Sequence, residues 1–169
     1  MGSLLDSLYG VLVQPGATFA QLRQKPQVTE AALIVLLVNA LGTSDLSPTS
    51  LLAAALAGGM GWLTLNGILW LLAYSLGRDP CWSGLLTLTG YASVPWLLWS
   101  PAQAWGPVVG GVLGLGVGVW LGVWQLWAAS VALGIPVQRL VWVVVLPFLG
   151  VGVGMTWLGN VLGLLLSLG

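Results

Sequence analysis

Charge is the scarcest feature of this sequence. Its 169 residues include four Lys or Arg, four Asp or Glu and no His. An ordinary soluble domain has about 25% charged residues, whereas this chain has 5% and is 58% hydrophobic. A nucleic-acid-binding surface needs clustered Lys and Arg, so nucleic acid is excluded as a main partner. The composition indicates an integral membrane protein.

Chemistry-bearing side chains are also few. Without histidine, the chain lacks the commonest metal ligand and the commonest general base. The single cysteine, Cys81, cannot form an internal disulfide. No acid, His or Cys lies where a nucleophile and a base could meet inside the membrane. We therefore expect no catalytic residue, no metal and no cofactor.

Apolar segments predict an all-α fold, a polytopic bundle of membrane helices. A helix that crosses a bilayer needs about 20 mostly apolar residues. Charged residues, glycine and proline interrupt the apolar segments, as in 77-GRDP-80. The predicted spans are 28–43, 51–76, 83–100, 107–133 and 140–167, of which the third is marginal. We therefore predict five transmembrane helices within a domain of residues 28–169.

The basic residues predict the orientation of these helices. Cytoplasmic loops carry the excess of Lys and Arg. With five spans, Arg23, Lys25, Arg78 and Arg139 all fall on one side. A re-entrant third segment would move Arg139 to the other side. We therefore predict a cytoplasmic N-terminus and an extracytoplasmic C-terminus.

Residues 1–27 are predicted to form a separate cytoplasmic and interfacial segment. Leu4, Leu5, Leu8, Val11 and Leu12 recur at helical spacing, which is typical of an amphipathic helix lying in the membrane interface. The alternative is a frayed tail that clings loosely to lipid. The Pro15-Gly16 pair breaks this helix, and residues 17–24 could form a second short one.

The fourth span carries a regular face of glycines. Gly110, Gly114, Gly118 and Gly122 recur at every fourth position, and we call them the glycine face. Small residues at this spacing let another helix approach closely in lipid. The pattern predicts a glycine zipper for helix packing or partner binding. A tryptophan series, Trp120, Trp124 and Trp127, lies on a different face and is expected to meet lipid or neighbouring helices rather than a ligand.

Polar residues inside the spans are few. They include Asn39, Asn66, Gln125 and Asn160. An unpaired amide in hydrocarbon costs several kcal/mol, so these side chains should face the bundle interior. Hydrogen bonding between helices is the simplest role for them, because intramembrane acids or bases that would couple transport are missing.

The stretch 90-GYASVP-95 lies within the third span. Pro95 cannot donate a backbone hydrogen bond, so the helix should kink or widen there. Tyr91 and Ser93 are close enough to help satisfy freed backbone groups. Gly90 should let a neighbouring helix approach.

These residues also resemble the Gly-Tyr-x-x-x-Pro element of the Yip family, the Ypt/Rab-interacting membrane proteins. The segment 6-DSLYG-10 resembles a loosened Asp-Leu-Tyr-Gly element of eukaryotic members, and 15-PGATFAQLRQKP-26 is similar to the opening of bacterial members. The segment 124-WQLWAASVALGIPVQRLVWVVVLP-147 is similar to the family's fourth-to-fifth helix hairpin. Eukaryotic members present a long cytosolic N-terminal region to Rab GTPases, and we do not expect this chain to share it. The resemblance thus implies a bacterial-type member without a Rab-binding role, in a bacterial inner or thylakoid membrane.

Three functional hypotheses follow. The first, implied by the resemblance, is a non-catalytic membrane adaptor or organiser that binds other membrane proteins or itself, or shapes lipid packing. The second is a small transporter, channel or lipid-moving protein with a polar path among Asn66, Gln125 and Asn160. The third is an intramembrane enzyme, which the missing nucleophile and base disfavour.

Overall fold

The computed structural model of the protein describes residues 4–43 and 46–142. The chain forms two compact units, residues 1–134 and 135–169. No strand occurs among the described residues, so the all-α prediction is confirmed for them. The helices are α1 (Leu4–Val13), α2 (Pro15–Gln24), α3 (Val28–Leu41), α4 (Pro48–Ser75), α5 (Trp82–Tyr91), α6 (Trp99–Gln103), α7 (Pro107–Leu133) and α8 (Val137–Leu140); a 3-10 helix, Val94–Leu98, lies between α5 and α6.

Helices α4 and α7 are the two, within the described residues, that are long and apolar enough to cross a membrane. Each has a proline in its first turn, where the missing backbone N–H costs no hydrogen bond. Each is followed by a glycine with positive φ, +70° at Gly77 and +63° at Gly134. This left-handed conformation ends a helix and suits glycine best. The bounds agree closely with the predicted spans 51–76 and 107–133.

The other predicted spans of the first unit are shorter. Helix α3 has 14 residues and ends at Leu41, two residues before the predicted end. Its length of about 21 Å is less than the roughly 30 Å of a bilayer's hydrocarbon core. The predicted third span, 83–100, is not one continuous helix, since it consists of α5, the 3-10 helix and the start of α6. Helix length alone therefore does not establish five spans.

Helix α5 occupies the centre of the first unit. It packs against α2, α3, α4 and α7. Every residue from Gly84 to Tyr91 is buried. Helix α3 packs against both α4 and α5, so these three helices contact one another.

The N-terminal segment forms two helices of ten residues each. Pro15 begins α2, whereas the sequence predicted only that it would end α1. Val11 and Phe19 are fully buried, and α2 packs against α5 and α7. These contacts contradict a loosely attached tail, because the two helices belong to the packed core of the unit.

The second unit is described as far as residue 142. Helix α8 begins at Val137 after Pro136, three residues before the predicted fifth span. A π-helical turn follows at residues 141–142. Most of the predicted span 140–167, including Asn160, lies outside the described residues.

Candidate functional site

The residues of the Gly-Tyr-x-x-x-Pro motif begin where α5 meets α3. A Cβ built on Gly90 would lie 2.7 Å from Ala31 Cβ and 3.0 Å from its carbonyl oxygen. Real Cβ atoms do not approach so closely, so any side chain here would push the two helices apart. The prediction that Gly90 admits a neighbouring helix is confirmed.

Tyr91 fixes the beginning of α3. Its hydroxyl donates to Gln27 Oε1 at 2.9 Å and lies 3.4 Å from Glu30 Oε2. The Gln27 backbone N–H donates to Thr87 Oγ1 at 3.0 Å. The prediction that Tyr91 serves a freed backbone group of its own segment is therefore wrong, because its hydroxyl reaches side chains on a second helix.

Pro95 lies at the break in the third segment. The α-helix ends at Tyr91, and the chain tightens into a 3-10 helix over Val94–Leu98. Ser93 Oγ donates to the Gly90 carbonyl oxygen at 2.6 Å, but this oxygen also accepts the Ser93 backbone N–H at 3.2 Å, so it is not a carbonyl freed by Pro95. The expected irregularity is confirmed, with a tighter turn in place of a widened one.

A polar cluster joins α4, α5 and α7 inside the unit; we define it as Trp62, Asn66, Thr89 and Gln125. Thr89 and Asn66 are both 0% exposed. Thr89 Oγ1 accepts from Trp62 Nε1 at 3.0 Å and shares its one proton between Asn66 Oδ1 at 2.9 Å and the Leu85 carbonyl oxygen of its own helix at 2.8 Å. Asn66 Nδ2 donates to the Trp62 carbonyl oxygen at 2.7 Å. One threonine hydroxyl thus connects two side chains of α4 to α5.

Gln125 adds α7 to the polar cluster. Its Nε2 donates to the Thr89 carbonyl oxygen at 3.0 Å. Its Oε1 is buried and accepts no hydrogen bond from the described residues. The side chain borders a cavity of about 250 Å³, together with Asn39, Ser93 and Trp96. A buried acceptor without a donor is costly, so this cavity is the place in the described interior where a polar group could be added.

The glycine face of α7 divides into two halves. Cβ atoms built on Gly110 and Gly114 would meet α6, at 3.0 Å from the Ala102 carbonyl oxygen and 2.5 Å from Gln103 Nε2, respectively. No described atom lies within 4 Å of a Cβ on Gly118 or Gly122. One half of the glycine face is therefore covered by α6, and the other half has no close neighbour among the described residues.

Two tryptophans of α7 contact the N-terminal helices α1 and α2. Trp124 Nε1 donates to the Val11 carbonyl oxygen of α1 at 3.1 Å. Trp127 contacts Phe19 of α2 edge to face, with ring centroids 6.4 Å apart. Trp120 and Trp124 also meet edge to face, at 5.7 Å. Trp124 and Trp127 thus contact α1 and α2, which agrees with the prediction that these rings meet lipid or neighbouring helices.

Sequence reasoning missed the two buried threonines. Thr87 and Thr89 lie two residues apart in α5, and both are 0% exposed. A threonine can bond the carbonyl one turn earlier in its own helix, as Thr89 Oγ1 does with Leu85 at 2.8 Å, so it carries no strong signal of long-range pairing. The one sequence feature that could have indicated these residues was the presence of two threonine hydroxyls just before Gly90 and Tyr91.

The arrangement is suited to holding helices together. In the described part of the chain, no group of three or more His, Cys, Asp or Glu side chains could bind a metal ion. Among the described residues, Gln125 Oε1 is the buried side-chain polar atom without a hydrogen-bond partner.

Comparison with known proteins gives a family match. The model of the Yip1 domain matches residues 9–159, which include the end of α1, all of α2, the polar cluster and the glycine face. No curated protein and no solved structure matches the chain significantly.

Proposed function

The chain belongs to the Yip1 domain family, and from this membership we propose that it is a non-catalytic membrane adaptor or organiser. Members of this family are non-enzymatic membrane proteins. We infer that its helices bind other membrane proteins or a second copy, or shape lipid packing. A bacterial inner or thylakoid membrane is the proposed location, and no Rab GTPase is among the proposed partners.

We further propose five membrane spans with the N-terminus in the cytoplasm. The four basic residues support this topology, since five spans place all of them on the cytoplasmic side. Within the first unit, Arg23 and Arg78 border one cavity. Two basic residues from distant parts of the chain thus lie at the same end of the unit, as the topology requires.

The open half of the glycine face carries the adaptor proposal. Gly118 and Gly122 are the third and fourth members of a regular series whose first two members already pack against α6. Close packing between helices is a main source of association within lipid. Two further glycines on the same face, without a described neighbour, form a surface suited to another membrane helix.

Leucine substitutions at matched glycines test this surface. Gly118→Leu should reduce recovery of a co-purifying protein, or of a second tagged copy, at least fivefold from a mild-detergent extract, because a leucine holds two backbones apart. Gly116→Leu is the control, since a Cβ there also meets nothing within 4 Å and residue 116 lies on the opposite face of α7. Equal recovery with both variants would refute the adaptor surface.

A transporter or lipid-moving protein is the second candidate. The cavity beside Gln125 favours it, because its lining includes Asn39, Ser93 and an unpaired amide oxygen. Solute or lipid flux in reconstituted vesicles that falls severalfold in Gln125→Leu would support this alternative. Vesicles that show no flux above protein-free vesicles would remove it.

A further inference from the structure

A second cavity lies at the end of the first unit where the two membrane-length helices stop. Its volume is about 280 Å³. The walls come from three regions: the α4–α5 loop with Arg78, the start of α5 at Cys81 and Gly84, and the end of α7 at Leu133. Arg23 of α2 completes the lining. Because α4 and α7 both end here, the cavity lies at the level of a membrane surface rather than of the bilayer centre.

Two positive charges, those of Arg23 and Arg78, border this cavity. Neither Arg23 nor Arg78 forms an ion pair with a carboxylate among the described residues. Asp79 is the one acidic residue in the lining, so two cations face one anion. A hydrogen bond with Ser83 lowers the pKa of the Cys81 thiol, and the positive charge of Arg23 contributes in the same direction. The field in the cavity thus favours an anion.

We propose that this cavity binds the phosphate of an anionic phospholipid. A guanidinium matches two phosphate oxygens at once, and basic pockets between membrane helices on the cytoplasmic side recognise anionic headgroups. Drug-sized ligands occupy cavities of about 300–1,000 Å³, so this smaller space suits a headgroup. Naming the cytoplasmic leaflet rests on the proposed topology, but binding itself does not.

A phospholipid and a soluble phosphate offer the same phosphate group to the arginines. The apolar residues beside the arginines favour the lipid. Leu133 and Ala132 at the end of α7 line the cavity beside the arginines. A phospholipid can place its phosphate on the guanidinium groups while its acyl chains extend along α4 and α7. Free inorganic phosphate gains nothing from this apolar wall.

Labelling of the Cys81 thiol reports directly whether a ligand occupies the cavity. It is the sole cysteine of the chain, it is exposed, and it lines the cavity. Its reaction with a maleimide should therefore slow when a headgroup occupies the cavity. The quantity to compare is the ratio of labelling rates with and without lipid for each variant, because removing an arginine also changes the thiol's intrinsic reactivity.

Three variants each remove one positive charge, two inside the cavity and one outside it. Arg23→Gln and Arg78→Gln each remove one cation from the lining. Lys25→Gln is the matched control, since Lys25 lies near Arg23 in sequence but lines a different cavity with Asp6. Arg78→Lys keeps the positive charge but loses the bidentate hydrogen bonding of a guanidinium to two phosphate oxygens.

The experiment uses the full chain in neutral detergent with added phosphatidylglycerol, phosphatidylcholine or inorganic phosphate. Phosphatidylglycerol should slow labelling of the native chain and of Lys25→Gln at least fivefold. Each arginine variant should need about fivefold more of this lipid for half-protection, with Arg78→Lys in between. Equal protection by phosphatidylcholine, protection by inorganic phosphate at the same concentration, or unchanged protection in the double arginine variant would overturn the proposal.

Discussion

Helices α4 and α5 are neighbours with opposite surroundings. Helix α4 is long and continuous, and many of its large side chains are exposed, such as Leu52 at 62% and Met60 at 70%. Helix α5 has ten residues, and every residue from Gly84 to Tyr91 is buried. The shorter and more polar helix thus lies at the centre, while the longer one exposes many of its large apolar side chains. In a membrane bundle, apolar side chains are stable in contact with lipid. The bundle centre instead requires close helix contact and hydrogen-bonded hydroxyl groups.

This difference explains why the third segment has marginal hydropathy. Its hydroxyl groups on Thr87, Thr89 and Tyr91 all bond to atoms of other helices or segments. They need no contact with lipid. Matched substitutions in α4 and α5 should therefore differ sharply in their effect on stability.

Glycine substitution should give the largest difference. Gly90→Ala places a methyl group 2.7 Å from Ala31 Cβ, and such overpacking costs about 1–3 kcal/mol. Gly67→Ala in α4 meets nothing within 4 Å, so better helix propensity should leave stability unchanged or raise it by up to about 1 kcal/mol. Reversible denaturation in detergent measures both. A Gly90→Ala protein as stable as Gly67→Ala would show that α3 and α5 are not in close contact.

Removal of a threonine hydroxyl should give the next largest effect. Thr89→Val leaves Asn66 Oδ1 and Trp62 Nε1 without their partner, which should cost about 1–2 kcal/mol. Thr64 in α4 bonds only the Met60 carbonyl oxygen of its own helix and is exposed, so Thr64→Val should change stability by less than about 0.5 kcal/mol. The same denaturation experiment compares them, and equal losses would contradict the polar cluster.

Removal of a tyrosine hydroxyl should give the smallest effect. Tyr91→Phe loses the bond to Gln27 Oε1 but keeps the buried ring, so we expect a loss of about 0.5–1 kcal/mol. Tyr74 of α4 is 65% exposed, and Tyr74→Phe should be neutral. Hydrogen exchange at the start of α3 gives an independent reading, since Tyr91→Phe alone should raise it. Unchanged exchange there would mean that Tyr91 does not position α3.

The sequence was sufficient for features that depend on local chemistry. The bounds of α4 and α7 followed from apolar length and from the Gly and Pro at their ends. The break at Pro95 followed because a proline removes one specific backbone donor. Each of these depends on residues within one or two turns of one another.

Features that depend on distant partners could not be predicted in this way. Tyr91 bonds Gln27, which is 64 residues away, and Trp124 bonds Val11, 113 residues away. No local sequence pattern predicts which helices will be adjacent, because adjacency depends on the packing of the whole unit. The division of the glycine face was hidden for the same reason. Val117, next to Gly118 in the chain, is 8% exposed and is therefore not a suitable lipid-facing control.

The central proposal is that the segment from α5 to α6 crosses the membrane as a broken helix, which is buried over residues 84–91. Its two ends then lie on opposite sides. Asp79 precedes α5, and Trp105 follows α6 with 72% of its surface exposed. Asp79→Cys and Trp105→Cys, each combined with Cys81→Ser, place a single thiol at either end.

Labelling intact cells with a membrane-impermeant maleimide tests this claim most directly. The thiol at position 105 should react in intact cells, and the thiol at position 79 should react only after the membrane is permeabilised. Full labelling of each variant in permeabilised cells is the control for accessibility. Labelling of both thiols from the same side would show that the segment re-enters without crossing, and would contradict the five-span account.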